Sequence, residues 1–142
     1  MTTVRDIMTP GADVLQTSAT ALDAAKKLAA EDYGALPICD GEKLQGMITD
    51  RDIVVKVLAA GKDPATTKVI DLVQGEVVTI GADDSVDEAL KTMAEHQVRR
   101  LPVIDGTTLV GMLSQADVAT NADERKVGAA LEDISRPSTT EP

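Results

Sequence analysis

The chain has 142 residues, 43% of them hydrophobic and 27% charged; that suits one compact domain or two very small ones, burying roughly 70% of the unfolded surface, and excludes a wholly disordered chain. Fourteen Lys and Arg stand against twenty-four Asp and Glu, a net charge of −10, which repels polyphosphate and argues against nucleic-acid binding unless basic residues cluster locally. No apolar run approaches the ~20 residues that span a bilayer, and Met1-Thr2-Thr3-Val4-Arg5-Asp6 opens nothing like a signal peptide, so a cytoplasmic protein with no membrane contact is expected.

In chain order, the first clear signal is Thr20-Ala21-Leu22-Asp23, a hydroxyl at a cap position with an acid three residues on, which marks a helix start. Leu22, Ala25, Leu28 and Ala29 follow at helical spacing, predicting a helix over about 20–32. Ala35-Leu36-Pro37-Ile38-Cys39 then reads as a strand closed by Asp40-Gly41, a hairpin signal, with Leu44–Ile48 returning. Pro37 donates no backbone hydrogen bond, so it demotes the outgoing strand to an edge or sits beside a bulge. A second helix is predicted from Thr49 to about Ala59. Ala60–Lys68 holds the Gly and Pro of a surface connection, short enough to make its flanking halves neighbours.

The lone Cys39 and lone His96 exclude an internal disulfide and a cysteine-cluster zinc site. They could in principle form a nucleophile pair, but Cys39 lies in an apolar run, which reads as a buried strand cysteine, and His96 reads as a solvated helix histidine. Tyr33 is the sole aromatic residue, so any flat ligand must lie against aliphatic side chains rather than rings.

The second half of the chain repeats the first. A shift of 65 residues superposes Asp6 on Asp71, Ala24 on Ala89, Leu36-Pro37 on Leu101-Pro102, Asp40-Gly41 on Asp105-Gly106, and Gly46-Met47 on Gly111-Met112, without a gap. Ile7/Leu72, Leu28/Met93, Ile38/Val103, Ile48/Leu113 and Ile53/Val118 match conservatively where a core needs them. Accordingly Ser85-Val86-Asp87-Glu88 starts a helix over about 85–97, Arg100–Ile104 and Leu109–Leu113 form a hairpin, and Ser114 opens a helix to about Ala119. Two copies are too few for a solenoid and predict two half-domains packed face to face about a pseudo-twofold axis. The boundaries are 1–62 and 63–121, with 122–142 holding a helix over Ala122–Ile134 and a polar, proline-broken disordered tail.

This ordered set resembles the CBS domain, the family named from cystathionine β-synthase. It consists of a helix, Leu-Pro-(Val/Ile), Asp-Gly, and a strand ending Gly-apolar-apolar-(Thr/Ser)-x-x-Asp. Both copies carry it, as Gly46-Met47-Ile48-Thr49-Asp50-Arg51-Asp52 and Gly111-Met112-Leu113-Ser114-Gln115-Ala116-Asp117. Val4-Arg5-Asp6-Ile7-Met8 also looks like the family's opening segment, with Asp71-Leu72-Val73 a looser copy. The resemblance spans about residues 4–120, and the whole chain looks close to small stand-alone actinobacterial members. It implies an α/β fold: a tandem pair, or Bateman module, of β-α-β-β-α units with sheets packed together and two related clefts.

In nucleotide-binding members the last acid of the motif accepts hydrogen bonds from ribose hydroxyls, which by position implies Asp52 and Asp117. Thr49 and Ser114 sit at helix N-termini, where free backbone N–H groups and the macrodipole favour phosphate. Both tetrapeptides are equally good helix caps that need no ligand. Arg99 and Arg100 precede Leu101-Pro102, where phosphate-binding members carry basic residues; a salt bridge to an acid such as Glu95 is the alternative. The first half has Gly34-Ala35 there, but offers Arg51 where the second has Ala116.

The reading is a non-enzymatic regulatory module without a required cofactor or metal. It binds AMP, ADP, ATP, an S-adenosyl compound or a related small anion, and acts on an unidentified partner protein. The alternative is a ligand-independent stress-response or scaffold dimer with closed clefts. No base–nucleophile pair or metal cluster supports an enzyme. A homodimer is expected, joined through apolar helix faces drawn from Ala24, Leu28, Val55, Leu58, Val86, Leu90 and Met93.

Overall fold

Thr20 and Ser85 each stand one residue ahead of a helix and close its first turn. The Thr20 hydroxyl accepts the Asp23 N–H at 3.2 Å while the Asp23 carboxylate accepts the Thr20 N–H at 2.9 Å; Ser85 Oγ accepts the Glu88 N–H at 3.1 Å. In chain order the computed structural model contains α1 (Val4–Ile7), β1 (Thr9–Pro10), β2 (Leu15–Gln16), α2 (Ala21–Glu31), β3 (Ala35–Asp40) and β4 (Lys43–Thr49). A short α3 (Asp50–Asp52) runs on as a π-helical segment (Ile53–Leu58), and a 3-10 turn covers Val69–Leu72. β5 (Ile80–Gly81), α4 (Val86–His96), β6 (Arg100–Asp105), β7 (Thr108–Ser114) and α5 (Gln115–Ala119) follow. The structure describes residues 2–11, 13–31, 34–73 and 75–121; Tyr33, the helix expected over 122–134 and the tail beyond it lie outside them. Among the described residues no helix is long and apolar enough to cross a membrane.

The chain divides into two compact units. One comprises residues 13–77 with 107–109. Its sheet pairs β2 parallel to β3 (Leu15↔Ile38, Gln16↔Cys39) and β3 antiparallel to β4, from Ala35↔Thr49 to Asp40↔Lys43. Gly41, at φ +64°, turns this hairpin in the left-handed region that glycine reaches without strain. Pro37 pairs with Met47, and the register shifts just beyond it, between Ile38 and Cys39. The strand is therefore bulged rather than an edge: two-residue β2 stops short of the proline and demands no N–H from it. The core packs Leu15, Ala21, Ala24, Leu28, Leu36, Ile38, Ile48, Ile53 and Val57 with Val69 and Leu72 of the 3-10 turn. Each fully buried Leu, Ile or Val here contributes roughly 1.5–3 kcal/mol.

The other unit comprises, among the described residues, 2–11, 78–106 and 110–121. β5 runs parallel to β6 (Ile80↔Val103), β6 lies beside β7, and β1 pairs antiparallel with β7 (Thr9↔Met112, Pro10↔Gly111). Its core holds the shifted counterparts of the first: Ile80, Val86, Ala89, Met93, Leu101, Val103, Leu113 and Val118, with Ala82, Leu90 and Val4. Thus α1, which opens the first repeat in sequence, serves the second repeat's core, and the Val69–Leu72 turn that opens the second serves the first. The docking bonds repeat as well. Val4 N–H donates to the Asp84 carbonyl at 2.9 Å, and Val69 N–H to the Ala19 carbonyl at 2.9 Å; the bridges Thr3↔Ser85 and Thr20↔Lys68 occupy equivalent positions. Arg5 adds exposed ion pairs to Asp83 and Asp105, each at 3.3 Å.

Two sequence-based expectations change. The helix after Thr49 ends near the expected residue, but most of it is π-helical: Ile53-Val54-Val55 are β-branched, poor α-formers, and Ala59 N–H donates to the Val54 carbonyl at 2.8 Å, five residues back. Of the residues expected to offer a dimer face, Ala24, Leu28, Val86, Leu90 and Met93 are buried in their own unit's core. The helical spacing that marked them is the spacing that packs each helix on its own sheet. Only Val55 and Leu58 remain exposed, joined by Val54.

Candidate functional site

β4 and β7 each deliver a hydroxyl to the start of a helix. Thr49 is extended (φ −115°, ψ 162°) and caps α3; its N–H donates to Asp52 Oδ2 at 2.9 Å, and the Asp52 N–H donates back to Thr49 Oγ1 at 3.0 Å. Ser114 (φ −102°, ψ 160°) does the same for α5, with Ser114 N–H to Asp117 Oδ2 at 2.9 Å and Asp117 N–H to Ser114 Oγ at 3.1 Å. All four residues are half-buried. The capping interpretation of both tetrapeptides is thus realised, and each carboxylate is held rigidly with one oxygen engaged on the cap.

The strand that enters each hairpin is tied to the same helix start. The Asp50 N–H donates to the Gly34 carbonyl at 3.1 Å, and the Gln115 N–H to the Arg99 carbonyl at 2.8 Å. In the second repeat this bond brings the Arg99 backbone to the Ser114–Asp117 turn; the equivalent position in the first repeat is a glycine without charge. Arg99 and Arg100 are both exposed, and Arg100 is engaged by an interaction within the chain. Arg51 is exposed beside Asp50, whose carboxylate accepts the Arg51 N–H at 2.8 Å.

The second carboxylate oxygens differ. Asp52 Oδ1 lies 3.1 Å from Lys56 Nζ, which also donates to the Leu72 carbonyl at 3.0 Å. The position equivalent to Lys56 in the second repeat is Asn121, whose amide donates to the Asp117 backbone carbonyl at 2.9 Å and to Thr120 Oγ1 at 2.8 Å. Lys56 was not among the expected site residues, although its i+4 spacing from Asp52 is the standard signal for an ion pair on a helix face.

Cys39 is buried in β3, 1% exposed, and burial pushes its thiol pKa up, as its apolar run predicts. His96 ends α4 in an exposed position. Among the described residues, no three His, Cys, Asp or Glu side chains are grouped to hold a metal ion.

The sequence profile described as CBS domain matches residues 4–59 and again 69–124. Hypoxic response protein 1 of Mycobacterium tuberculosis is 44% identical over 138 residues, covering 96% of this chain and 96% of that protein. The crystal structure of hypoxic response protein I with two coordinated zinc ions superposes with a TM-score of 0.79 at 46% identity, over 86% of this chain and 100% of that one. The crystal structure of CBSX2 in complex with AMP superposes with a TM-score of 0.70 at 28% identity, over 94% of this chain and 98% of that one.

Proposed function

The chain belongs to the CBS-domain family as a tandem pair of repeats, and from that premise we propose that it is a non-catalytic regulatory module of the cytoplasm that binds an adenine nucleotide. AMP, ADP, ATP and S-adenosyl compounds share the ribose that the site would select, and the bound state would be passed to a partner protein. The observation that carries this reading is the pair of carboxylates, Asp52 and Asp117, each fixed by a hydroxyl-capped turn, at the end of β4 and of β7. A carboxylate held in place beside a sugar diol accepts its hydroxyl donors without first having to be ordered. The likeness to a CBS protein solved with AMP supports the choice of ligand.

In this reading Asp117 and Asp52 are the candidate ribose ligands, Ser114 and Thr49 hold those acids and border the phosphate, and Arg99, Arg100 and Arg51 are the candidate sources of positive charge. The Arg99–Arg100 repeat is the stronger phosphate site, because two guanidiniums can grip phosphate in bidentate fashion, whereas Arg51 is partly neutralised by Asp50. The crystal structure of hypoxic response protein I holds two coordinated zinc ions; among the described residues here, no three His, Cys, Asp or Glu side chains are grouped to hold a metal ion.

A thermal-shift series with AMP, ADP, ATP and S-adenosylmethionine tests ligand binding, since a ligand at 100 times its Kd adds roughly 2.7 kcal/mol. Calorimetry then separates the roles. Asp117→Ala should weaken nucleosides and nucleotides alike, whereas Arg99→Ala/Arg100→Ala should weaken only phosphorylated ligands, about tenfold or more. Unchanged nucleotide affinity in the double variant, with loss in Arg51→Ala, would move the phosphate contact to the first repeat. A second reading, a ligand-independent scaffold, is favoured by the fact that both capping turns satisfy their own polar groups; no shift with any ligand would establish it. Either reading includes a homodimer, joined through the exposed Val54 (55%), Val55 (49%) and Leu58 (58%). Light scattering of Leu58→Asp should show a monomer where the native chain shows a dimer.

A further inference from the structure

Asp52 and Asp117 occupy equivalent positions in the repeat and make the same capping bonds, yet among the described residues only Asp117 keeps a carboxylate oxygen that no cation meets. Asp52 Oδ2 accepts the Thr49 N–H at 2.9 Å, and its Oδ1 is met by the Lys56 ammonium at 3.1 Å. Lys56 is anchored from its other side by the Leu72 carbonyl at 3.0 Å, so the π-helical segment, the acid and the 3-10 turn are stapled together in one unit. The ion pair is largely shielded, with 31% of the lysine and 23% of the aspartate side chain exposed, and screening weakens it less than a surface pair. At Asp117 the second oxygen meets no such cation among the described residues: Asn121 stands in the lysine's place and turns its amide to the backbone carbonyl at 2.9 Å.

We infer that Lys56 is an internal ligand that closes the first repeat's acid, so that the chain takes one nucleotide, at Asp117, and keeps Asp52 as a structural copy. This rests on the nucleotide reading above and sets its stoichiometry. A ribose diol brings two neutral O–H donors. To use Asp52 it must displace, or share Oδ1 with, a charge-assisted N–H, roughly twice as strong as a neutral hydrogen bond, because the other oxygen already serves the cap. At Asp117 the diol meets no such cation among the described residues. The feature that decides between the two sites is therefore not the acid, which both repeats share, but the residue one helical turn beyond it.

Titration calorimetry of the full chain with AMP tests this with three variants. The native chain should bind one AMP per chain, and Asp117→Asn, which keeps the capping oxygen, should abolish that binding. Lys56→Met, which keeps the aliphatic stem, should add a second AMP per chain. Asn121→Lys should plant the same cation beside Asp117 and weaken AMP at least about tenfold, and it leaves the first repeat untouched should Lys56→Met fail to fold. Two AMP per native chain, or a loss of affinity in Lys56→Met, would overturn the role given to Lys56 while leaving nucleotide binding in place. No binding by either the native chain or Lys56→Met would instead remove the nucleotide reading, and this inference with it.

Discussion

Gly46 faces Val73 so closely that a Cβ on the glycine would lie 2.6 Å from Val73 Cγ2, inside any permitted contact. Val73 follows the 3-10 turn that opens the second repeat, and Gly46 sits in β4 of the first. The relation recurs one repeat on: a Cβ at Gly111 would lie 2.7 Å from the Thr9 carbonyl oxygen and 2.8 Å from Met8 Sδ. Each glycine of the Gly-Met pair is thus the place where the opening segment of the other repeat crosses the strand.

Gly111→Ala should destabilise the protein more than Gly46→Ala. The first meets a backbone oxygen held in the β1–β7 pairing, which cannot rotate away; the second meets a half-buried valine side chain that can shift. Overpacking of this kind costs about 1–3 kcal/mol, and urea denaturation of the two variants should rank them in that order.

The exchange of opening segments predicts where damage will spread. Val4→Ala and Val69→Ala each remove two methyl-sized volumes from a fully buried position, a loss of roughly 2 kcal/mol or more with the cavity left behind. Native-state hydrogen exchange of Val4→Ala should speed the amides of β6 and β7, in the second repeat, while β3 and β4 stay protected. Val69→Ala should do the reverse.

Acid should weaken the protein through its capping acids. Asp6 is held below the usual carboxylate range by the Thr3 backbone N–H and then by the Thr3 hydroxyl, and Asp23 likewise by Thr20. A depressed pKa in the folded state means that the unfolded chain binds the proton first. The stabilisation is therefore complete above the ordinary carboxylate pKa and is lost as pH falls through the depressed value. Urea midpoints measured between about pH 5 and pH 3 should fall, and less steeply in Asp23→Asn.

Cys39 should react slowly. Its sulfur is buried and its raised pKa leaves little thiolate at neutral pH. A bulky thiol reagent should label it at the rate of unfolding in buffer and immediately in urea.

Much of this could be read from residue order alone, because the deciding forces are local. Thr20 with Asp23, Thr49 with Asp52 and Ser114 with Asp117 close their turns within four residues; the Asp40-Gly41 signal marks a hairpin whose two-residue turn is Gly41-Glu42; and the spacing of Leu22, Ala25 and Leu28 marks α2 as a helix, although the face it buries is Ala21, Ala24 and Leu28. The 65-residue repeat follows from the same local signals occurring twice. Beyond that range the sequence was silent. β1, β2 and β5 are two residues long, too short to show a period, and exist only because a longer strand lies beside them. An apolar helix face does not say what covers it, so Val86, Leu90 and Met93 looked available for a partner until the chain's own sheet was seen to bury them. Least accessible of all was which core Val4 and Val69 would enter. The two repeats share one pattern, so either opening segment satisfies either core in sequence. Only the chain's path in space sends each to the other repeat, where the missing side chains of Gly46 and Gly111 leave it room to pass.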